Sequence, residues 1–322
     1  MPEVRYGVVL NDLCLPDGDV HGLGSGWELR RPTDAQIEQF RPRLTMLYNA
    51  MTAAPRLTPP PHEAVVTGVE DSITYEWSLA PSDFRYWVAV RVDSDGLPFR
   101  AFVEALTLAD TELCLNYWPN GAPDLSPTGA RMVANPTTMA TFFADVLCDE
   151  QAPQQADLGE IRELVTLRAQ LDGGSFPEIA RMLGLFESTA QLPDRSPQKF
   201  LAHMAIVEGL LTHAPGPTDR VDTIGRQLKR NIVLLDHRMP DHRKTELDSF
   251  GSTKPQTVID KLYAYRSAVA HGTDPSDRLD VFAAKWPGPT TVLSLHQFAR
   301  QLTKRLLAAA LREPQLVSDL KG

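Results

Sequence analysis

The sequence predicts an α+β protein in which a strand-rich N-terminal domain precedes an all-α helical bundle. Up to about residue 150, short apolar runs alternate with turn signals. The polar stretch DEQAPQQAD then interrupts this pattern, and beyond it apolar residues recur at helical spacing. We therefore expect a strand-rich domain at residues 1–150, a helical connector at residues 151–196 and a helical bundle at residues 197–322.

Six segments of the N-terminal part have the composition of β-strands, because they are rich in branched and aromatic side chains. The clearest is RYWVAVRVD (Arg85–Asp93), whose side chains would alternate between the two faces of a sheet. Turn signals such as Asp95-Gly96 and Asn120-Gly121 lie between the segments. The predicted strands are Val4–Leu10, Ala64–Val69, Ile73–Leu79, Tyr86–Val92, Phe102–Leu108 and Glu112–Trp118.

Four other segments of this part have different signatures. Thr33-Asp34 before Ala35–Leu44 predicts a capped helix, and Thr137–Leu147 predicts a second one. Four prolines between Pro55 and Pro61 predict a loop, because proline removes backbone donors. The glycine-rich stretch HGLGSGWE lacks the lysine and the strand-to-helix context of a phosphate-binding loop, so it predicts a turn.

Helical periodicity dominates the second half of the chain. Four helices of 15 to 20 residues with polar connections indicate a bundle. The third of them should be capped by Ser252 or Thr253 and should end at Gly272. The predicted helices are Glu160–Leu171 and Pro177–Phe186 in the connector, then one beginning at Pro197, Asp219–Leu235, Pro255–His271 and Ser294–Leu311.

The charge of the chain is divided unevenly between its two parts. From Arg195 onward there are 19 basic and 13 acidic residues, a balance of +6, whereas the preceding part has 13 basic and 28 acidic residues, a balance of −15. The net charge of −9 would by itself argue against a nucleic-acid partner. Because the basic excess lies in the second part, a polyanion remains a possible partner for that part. The acidic first part could restrain the basic part electrostatically.

The remaining composition favours a cytoplasmic protein. Cys14, Cys114 and Cys148 are widely spaced and form no C-x-x-C pair, so we expect reduced thiols rather than disulfides or a cysteine-bound zinc. No window has the roughly 18 apolar residues of a transmembrane helix, and the N-terminus has no signal-peptide pattern. We therefore expect no membrane partner.

The third predicted helix of the bundle ends in YAYRSAVAHGTD, which contains the spacing R-x4-H at Arg266 and His271. Five positions on an ideal helix correspond to about 140° of rotation, so the two side chains do not share a face. They can converge only because His271 lies at the helix end, before Gly272, where the helix dipole also favours a protonated imidazole. A guanidinium can then hold a phosphodiester while the imidazole transfers a proton.

The segment LYAYRSAVAHG resembles the signature of the HEPN superfamily, and more closely that of its Apea-like branch. The resemblance extends over AHMAIVEGLL, which contains Glu208, and over TIGRQLKRNIVLL, so that it covers about residues 197–312. The stretch GWELRRPTDAQIEQF is also similar to the N-terminal portion that often accompanies such domains.

This resemblance implies a homodimer in which two R-x4-H pairs face one cleft and cleave RNA without a metal or a cofactor. The ribose 2′-hydroxyl would attack the adjacent phosphate, with His271 as general acid or base and Arg266 stabilising the transition state. Glu208, Ser267 and Tyr263 would support the site. At the level of the sequence, Glu208 and Arg266 could equally form a structural ion pair, and Tyr263 could equally make a core or dimer contact. Ser267 departs from the Asn, Asp or His that often follows the arginine in catalytic members, although serine is common in the Apea-like branch. The resemblance also implies a role in defence or in toxin–antitoxin systems, which would involve a regulatory protein partner.

Other interpretations stay open at the level of the sequence. The chain could be a non-catalytic HEPN module that binds protein, nucleotide or RNA. Arg226, Lys229 and Arg230 lie at i, i+3 and i+4, and this face could either bind an RNA backbone or simply be solvated. In LDHRMPDHR, the pairs Asp236-His237 and Asp241-His242 suggest metal ligands, but a solvated loop explains them as well.

Overall fold

The computed structural model describes residues 6–11, 13–38, 40–41, 65–70, 73–78, 84–115, 117–118, 131–132, 154–171, 174–213 and 223–321. The chain divides into two compact units. One comprises Met1–Phe99 and Ala109–Glu163, and the other comprises Arg100–Leu108 and Leu164–Gly322. A small antiparallel sheet lies in the first unit and a set of helices in the second, so the protein has the α+β fold that the sequence predicts.

Four strands form the main sheet: β1 (Tyr6–Val9), β3 (Val20–Gly24), β4 (Trp27–Arg30) and β7 (Trp87–Arg91). They are antiparallel and lie in the order β1-β7-β4-β3. Strand β7 lies inside the sheet, and its first four residues are buried, on both faces. The remaining strands form three two-stranded pairs: β2 (Leu13–Cys14) with β10 (Gln154–Gln155), β5 (Val65–Glu70) with β6 (Ile73–Ser78), and β8 (Tyr117–Trp118) with β9 (Arg131–Met132).

Four predicted strands are confirmed by β1, β5, β6 and β7. The predicted strand Glu112–Trp118 is confirmed only in its last part, where Leu115 forms a single bridge to Val9 and β8 follows. The predicted helix Thr137–Leu147 and the proline-rich loop at Pro55–Pro61 lie outside the described residues.

The glycine-rich stretch forms the turn that the sequence predicts, and it joins β3 to β4. Ser25 and Gly26 have φ angles of 46° and 78°. Positive φ angles at both central residues are typical of two-residue hairpin turns, because this turn matches the right-handed twist of the flanking strands. A Cβ at Gly26 would lie 2.8 Å from the Cβ of Asp93, so the backbone approach also requires glycine. The two flanking strands were not predicted.

The predicted strand Phe102–Leu108 is wrong, because the chain forms helix α1 (Phe99–Leu106) there. Phe102, Ala105 and Leu106 are buried at positions i, i+3 and i+4, so the buried side chains follow the period of a helix and not the alternation of a strand. Glu104 is buried too, and its Oε2 lies 2.9 Å from Nη2 of Arg168. A buried carboxylate needs such a partner, and the helix places Glu104 within reach of one.

The predicted helix after Thr33-Asp34 is present at residues 34–38 and 40–41. Its start is a capping box, in which the Thr33 Oγ1 accepts from the Gln36 N–H at 3.3 Å and the Gln36 side chain accepts from the Thr33 N–H at 2.9 Å. The local sequence T-x-x-Q is therefore sufficient to explain where this helix begins.

The helical unit contains most of the helices predicted from the periodicity, with small changes at their ends. After α2 (Leu158–Gln170) come α3 (Pro177–Ser188), α4 (Pro197–Leu211), α5 (Ile224–Arg238), α6 (Pro255–Ala270), α7 (Asp280–Lys285), α8 (Thr291–Arg312) and α9 (Pro314–Asp319). The predicted cap of α6 is wrong, because Lys254 occupies the N-cap position and no side chain caps that end. None of the helices in the described part of the chain is both long and apolar enough to cross a bilayer.

Helix α4 lies at the centre of this unit and packs against α3, α5, α6 and α8. Two fully buried amides of α5 bind the end of α4. The Asn231 amide donates to the Leu211 carbonyl at 2.7 Å, and the Gln227 side chain accepts from the His213 N–H at 2.9 Å. These bonds satisfy backbone groups at a helix end and fix α5 beside α4.

Candidate active site

The C-terminal end of α6 places His271 at an exposed position with defined backbone geometry. His271 is the C-cap residue, and Gly272 follows with a φ of 67°. The Gly272 N–H donates to the Val269 carbonyl at 3.2 Å, and the Thr273 N–H donates to the Ala268 carbonyl at 3.0 Å. This is the Schellman pattern, and it confirms that Gly272 ends the helix as the sequence predicts.

Arg266 is held by Glu208, which reaches it from α4. The Arg266 Nη2 donates to Glu208 Oε2 at 3.0 Å, and Nε lies 2.8 Å from Oε1 as a second ion-pair contact without hydrogen-bond alignment. Both side chains are less than one-third exposed, at 27% for Arg266 and 16% for Glu208. Burial raises the pKa of the Glu208 carboxyl, and the nearby Arg266 charge offsets only part of that rise.

The geometry of this pair leaves part of the guanidinium for another anion. An arginine carries five N–H donors, and Glu208 faces the side formed by Nε and one Nη2 hydrogen. The end of the fork, formed by Nη1 and the other Nη2 hydrogen, does not face this carboxylate. Glu208 therefore orients the arginine while leaving a two-donor edge that matches phosphate oxygens.

Tyr263 and Ser267 complete the surroundings of Arg266. The Arg266 guanidinium lies 6.0 Å from the centre of the Tyr263 ring. The same ring lies close to the first turn of α5, since a Cβ at Gly225 would be 3.8 Å from Tyr263 Cδ1. The Ser267 carbonyl accepts the His271 N–H at 3.0 Å, so this serine contributes to the helix end through its backbone.

Within one chain, Arg266 and His271 lie near the same helix end but do not hydrogen-bond to each other. Arg266 faces Glu208, whereas the His271 imidazole makes no hydrogen bond or ion pair within the described part of the chain. Their positions on α6 differ by about 140° on ideal geometry. The structure thus brings Arg266, Glu208 and Tyr263 together, with His271 one turn further along α6.

The three basic residues of α5 lie on one face, as their spacing predicts. Arg226, Lys229 and Arg230 line a shallow groove of about 540 Å³ between α5 and α6. Lys229 Nζ also lies 2.9 Å from Oδ1 of Asp260 on α6. The complete lining is Arg226, Lys229, Arg230, Val233, Leu234, His237 and Gln256.

Four residues of this groove were not predicted from the sequence as parts of the candidate site, namely Val233, Leu234, His237 and Gln256. The sequence indicates His237 only as a candidate metal ligand and indicates no role for the other three. The spacing of His237 seven residues after Arg230 would have placed it on the basic face. Gln256 comes from a different helix, and no local pattern indicates which helices become neighbours.

The two Asp-His pairs, one in the last turn of α5 and one just after this helix, do not form a cluster. Asp236 is buried, and its Oδ1 accepts from both the N–H and the hydroxyl of Thr245, at 2.6 and 2.7 Å. Asp241 is exposed, and a hydrogen bond from Lys244 lowers the pKa of its carboxyl. Among the residues that the structure describes, no three His, Cys, Asp or Glu side chains are grouped to hold a metal ion. These residues therefore give no support to the metal-dependent interpretation.

A group of buried aromatic and histidine side chains lies behind the site. The Tyr265 hydroxyl is 3.4 Å from Nε2 of His296, whose ring stacks on Phe200 with centroids 5.0 Å apart. Burial raises the pKa of the Tyr265 hydroxyl and lowers the pKa of His296. Both groups are therefore neutral near pH 7, and they support α6 through packing.

Neither protein-family models nor curated proteins nor solved structures match this chain.

Proposed function

We propose that the helical unit is a metal-independent endoribonuclease of the HEPN type, with Arg266 and His271 as its catalytic residues. The observation that carries the proposal is the arrangement of Arg266. A partly buried glutamate orients its guanidinium while the end of the fork is left for a phosphate, and an exposed histidine follows at the helix end. The group that would bind the substrate phosphate and the group that would transfer a proton therefore lie near the same end of one helix.

In the proposed reaction, the ribose 2′-hydroxyl attacks the adjacent phosphorus and the 5′-oxygen of the next nucleotide leaves. His271 takes the proton of the 2′-hydroxyl or gives one to the leaving oxygen, and Arg266 stabilises the charge on the phosphorane-like transition state. The products are a 2′,3′-cyclic phosphate and a 5′-hydroxyl. In a homodimer, a second copy would place another Arg266–His271 pair at the same cleft, so that one histidine can serve as base and the other as acid.

Arg226, Lys229 and Arg230 would bind the RNA backbone next to this end of α6. Tyr263 contacts the first turn of α5 and also lies near Arg266, which connects the basic face to the proposed catalytic residues. A role in defence or toxin-like RNA cleavage, a regulatory protein partner and a cytoplasmic location belong to the same proposal.

Cleavage assays on the purified full chain in the presence of EDTA test the enzyme proposal. We expect cleavage of a mixed RNA pool, with a loss of at least about 100-fold for both His271→Ala and Arg266→Ala. The exposed residues His242 and Arg181 supply the matched controls, since His242→Ala and Arg181→Ala should cleave at the wild-type rate. Cleavage that EDTA abolishes, together with a loss of activity in His242→Ala, would instead indicate a metal-dependent hydrolase.

The alternative is a non-catalytic module, which one observation favours. The Glu208–Arg266 pair also suits a purely structural ion pair between α4 and α6, because a half-buried carboxylate requires a partner. A wild-type chain that binds RNA but leaves every RNA pool intact, with and without divalent metal ions, would establish this alternative.

A further inference from the structure

The groove between α5 and α6 runs away from the Arg266 end of α6. Three contacts define its course: Gly225 lies beside Tyr263, Lys229 pairs with Asp260, and Gln256 lines the groove together with Val233, Leu234 and His237. Residue numbers therefore rise along α5 while they fall along α6. Gln256 is ten residues from Arg266, which corresponds to about 15 Å along a helix.

The chemistry of the lining changes along this course. The end near Tyr263 is cationic, with Arg226, Lys229 and Arg230. The far end has the aliphatic side chains of Val233 and Leu234, the imidazole of His237 and the amide of Gln256. Leu234 and His237 are exposed there, so the apolar end of the groove is accessible to a ligand.

We propose that the far end of this groove is a subsite for an unpaired nucleobase of single-stranded RNA. The imidazole of His237 offers a face for stacking, Val233 and Leu234 offer an apolar floor, and the Gln256 amide offers a donor and an acceptor to a base edge. The subsite would determine which RNA is cleaved, because it holds a nucleotide about 15 Å from Arg266. This inference rests on the proposed function, since it assigns the same RNA a second point of contact.

The combination of a cationic end and an apolar end fits a single strand. Such a strand would present one phosphate per nucleotide to the cationic end, and its unpaired bases would be available to the apolar end. The Lys229–Asp260 pair is solvent-exposed, so exchanging Asp260 for a phosphate costs little free energy. In a duplex the bases are paired and cannot reach His237.

Binding measurements on the full-length His271→Ala chain test the subsite without cleaving the RNA. The probes are a single-stranded RNA of about ten nucleotides, its duplex, and a strand of the same length without bases, with fluorescence anisotropy as the readout. Adding His237→Ala should weaken binding of the single strand about 5- to 30-fold, which corresponds to the loss of one stacked base. Leu234→Ser should act in the same direction, and neither change should alter binding of the strand without bases.

Matched controls keep the result interpretable. His242→Ala and Leu185→Ser remove an exposed histidine and an exposed leucine outside the groove, and they should bind like the parent chain. Equal affinities for His237→Ala and His242→Ala, a preference for the duplex, or a complete lack of RNA binding would overturn the subsite. Failure of the wild type to cleave RNA, with a groove-dependent affinity retained, would instead overturn the catalytic proposal alone.

Discussion

Glu208 and Arg266 form the contact on which the orientation of the proposed catalytic arginine depends. The sequence suggested this pairing, because Glu208 lies on a largely apolar helix and a buried carboxylate needs a cation. The two-point geometry was not predictable, since it depends on how closely α4 and α6 approach. Gln256 was missed for the same reason, because it reaches the groove only through the packing of α5 against α6, whereas the spacing from Arg230 would have placed His237 on the basic face.

Replacing Glu208 with glutamine tests the orienting role of this residue. Glu208→Gln keeps the size and one acceptor oxygen but removes the charge, so the guanidinium loses its preferred orientation. We expect a fall of about 10- to 100-fold in the cleavage rate, with little change in the melting temperature. Glu313→Gln is the matched control, because Glu313 also binds an arginine, Arg238, at two points. Equal rates for the two variants would show that Glu208 has no orienting role.

His203 makes the stability of the helical unit depend on pH. Its ring is buried, and burial, together with the charges of Arg300 and Lys199, lowers its pKa to about 3. In the unfolded chain the pKa is about 6.5. Between these values the unfolded chain binds a proton that the folded chain does not bind, so the free energy of unfolding falls as the pH falls.

Urea denaturation at pH 7.5 and 5.5 measures this contribution. Over that range the wild type should lose about 1 kcal/mol more of its free energy of unfolding than His203→Leu does. The variant also removes two buried ring nitrogens that have no hydrogen-bond partner among the described residues, so it should fold. An equal loss in both chains would contradict the low pKa.

At the scale of elements, the helical unit was predictable from periodicity and end signals, whereas part of the sheet was not. Pro197 and Gly272 mark helix ends because their backbone preferences are local. The strands β3 and β4 have few apolar residues and flank a glycine turn, so their pairing with β7 could not be predicted from a local pattern. Helix α1 was misassigned because its short apolar run fits either period.

The end of α6 can be tested with two glycines that have matched geometry. Gly272 and Gly251 have φ angles of 67° and 64°, and no atom lies within 4 Å of a Cβ built at either position. Alanine at each position should therefore lower the free energy of unfolding by a similar amount, about 1 kcal/mol, through backbone strain alone. Only Gly272→Ala should also lower the cleavage rate several-fold, because His271 precedes it. Equal cleavage rates for the two variants would show that the geometry of this helix end does not affect the reaction.

At the scale of the whole molecule, the excess of positive charge lies in the part where the proposed substrate binds. The residues before Arg195 have a balance of −15 and the rest a balance of +6, so RNA contacts are expected only in the second part. The sequence predicted this division, since it requires only counting. It could not predict that Arg226, Lys229 and Arg230 would line a groove that begins near Tyr263.

The salt dependence of RNA binding tests the basic face. Each phosphate contact to a single strand contributes about −0.7 to the slope of log affinity against log salt concentration. Lys229→Ala should therefore reduce the steepness by about 0.7. Lys261→Ala is the matched control, because Lys261 pairs with Asp280 at 2.8 Å and has the same side-chain exposure of 30% as Lys229. The same slope for both variants would show that the RNA backbone does not contact Lys229.

The proposal of RNA cleavage by 2′-hydroxyl attack is tested most directly by removing that hydroxyl. A short RNA of known cleavage position is compared with the same strand carrying one 2′-deoxynucleotide on the 5′ side of that position, with the full chain and EDTA present. We predict that the all-RNA strand gives a 2′,3′-cyclic phosphate end and that the substituted strand stays intact at this position. Cleavage of both strands at equal rates would contradict the proposed chemistry of Arg266 and His271.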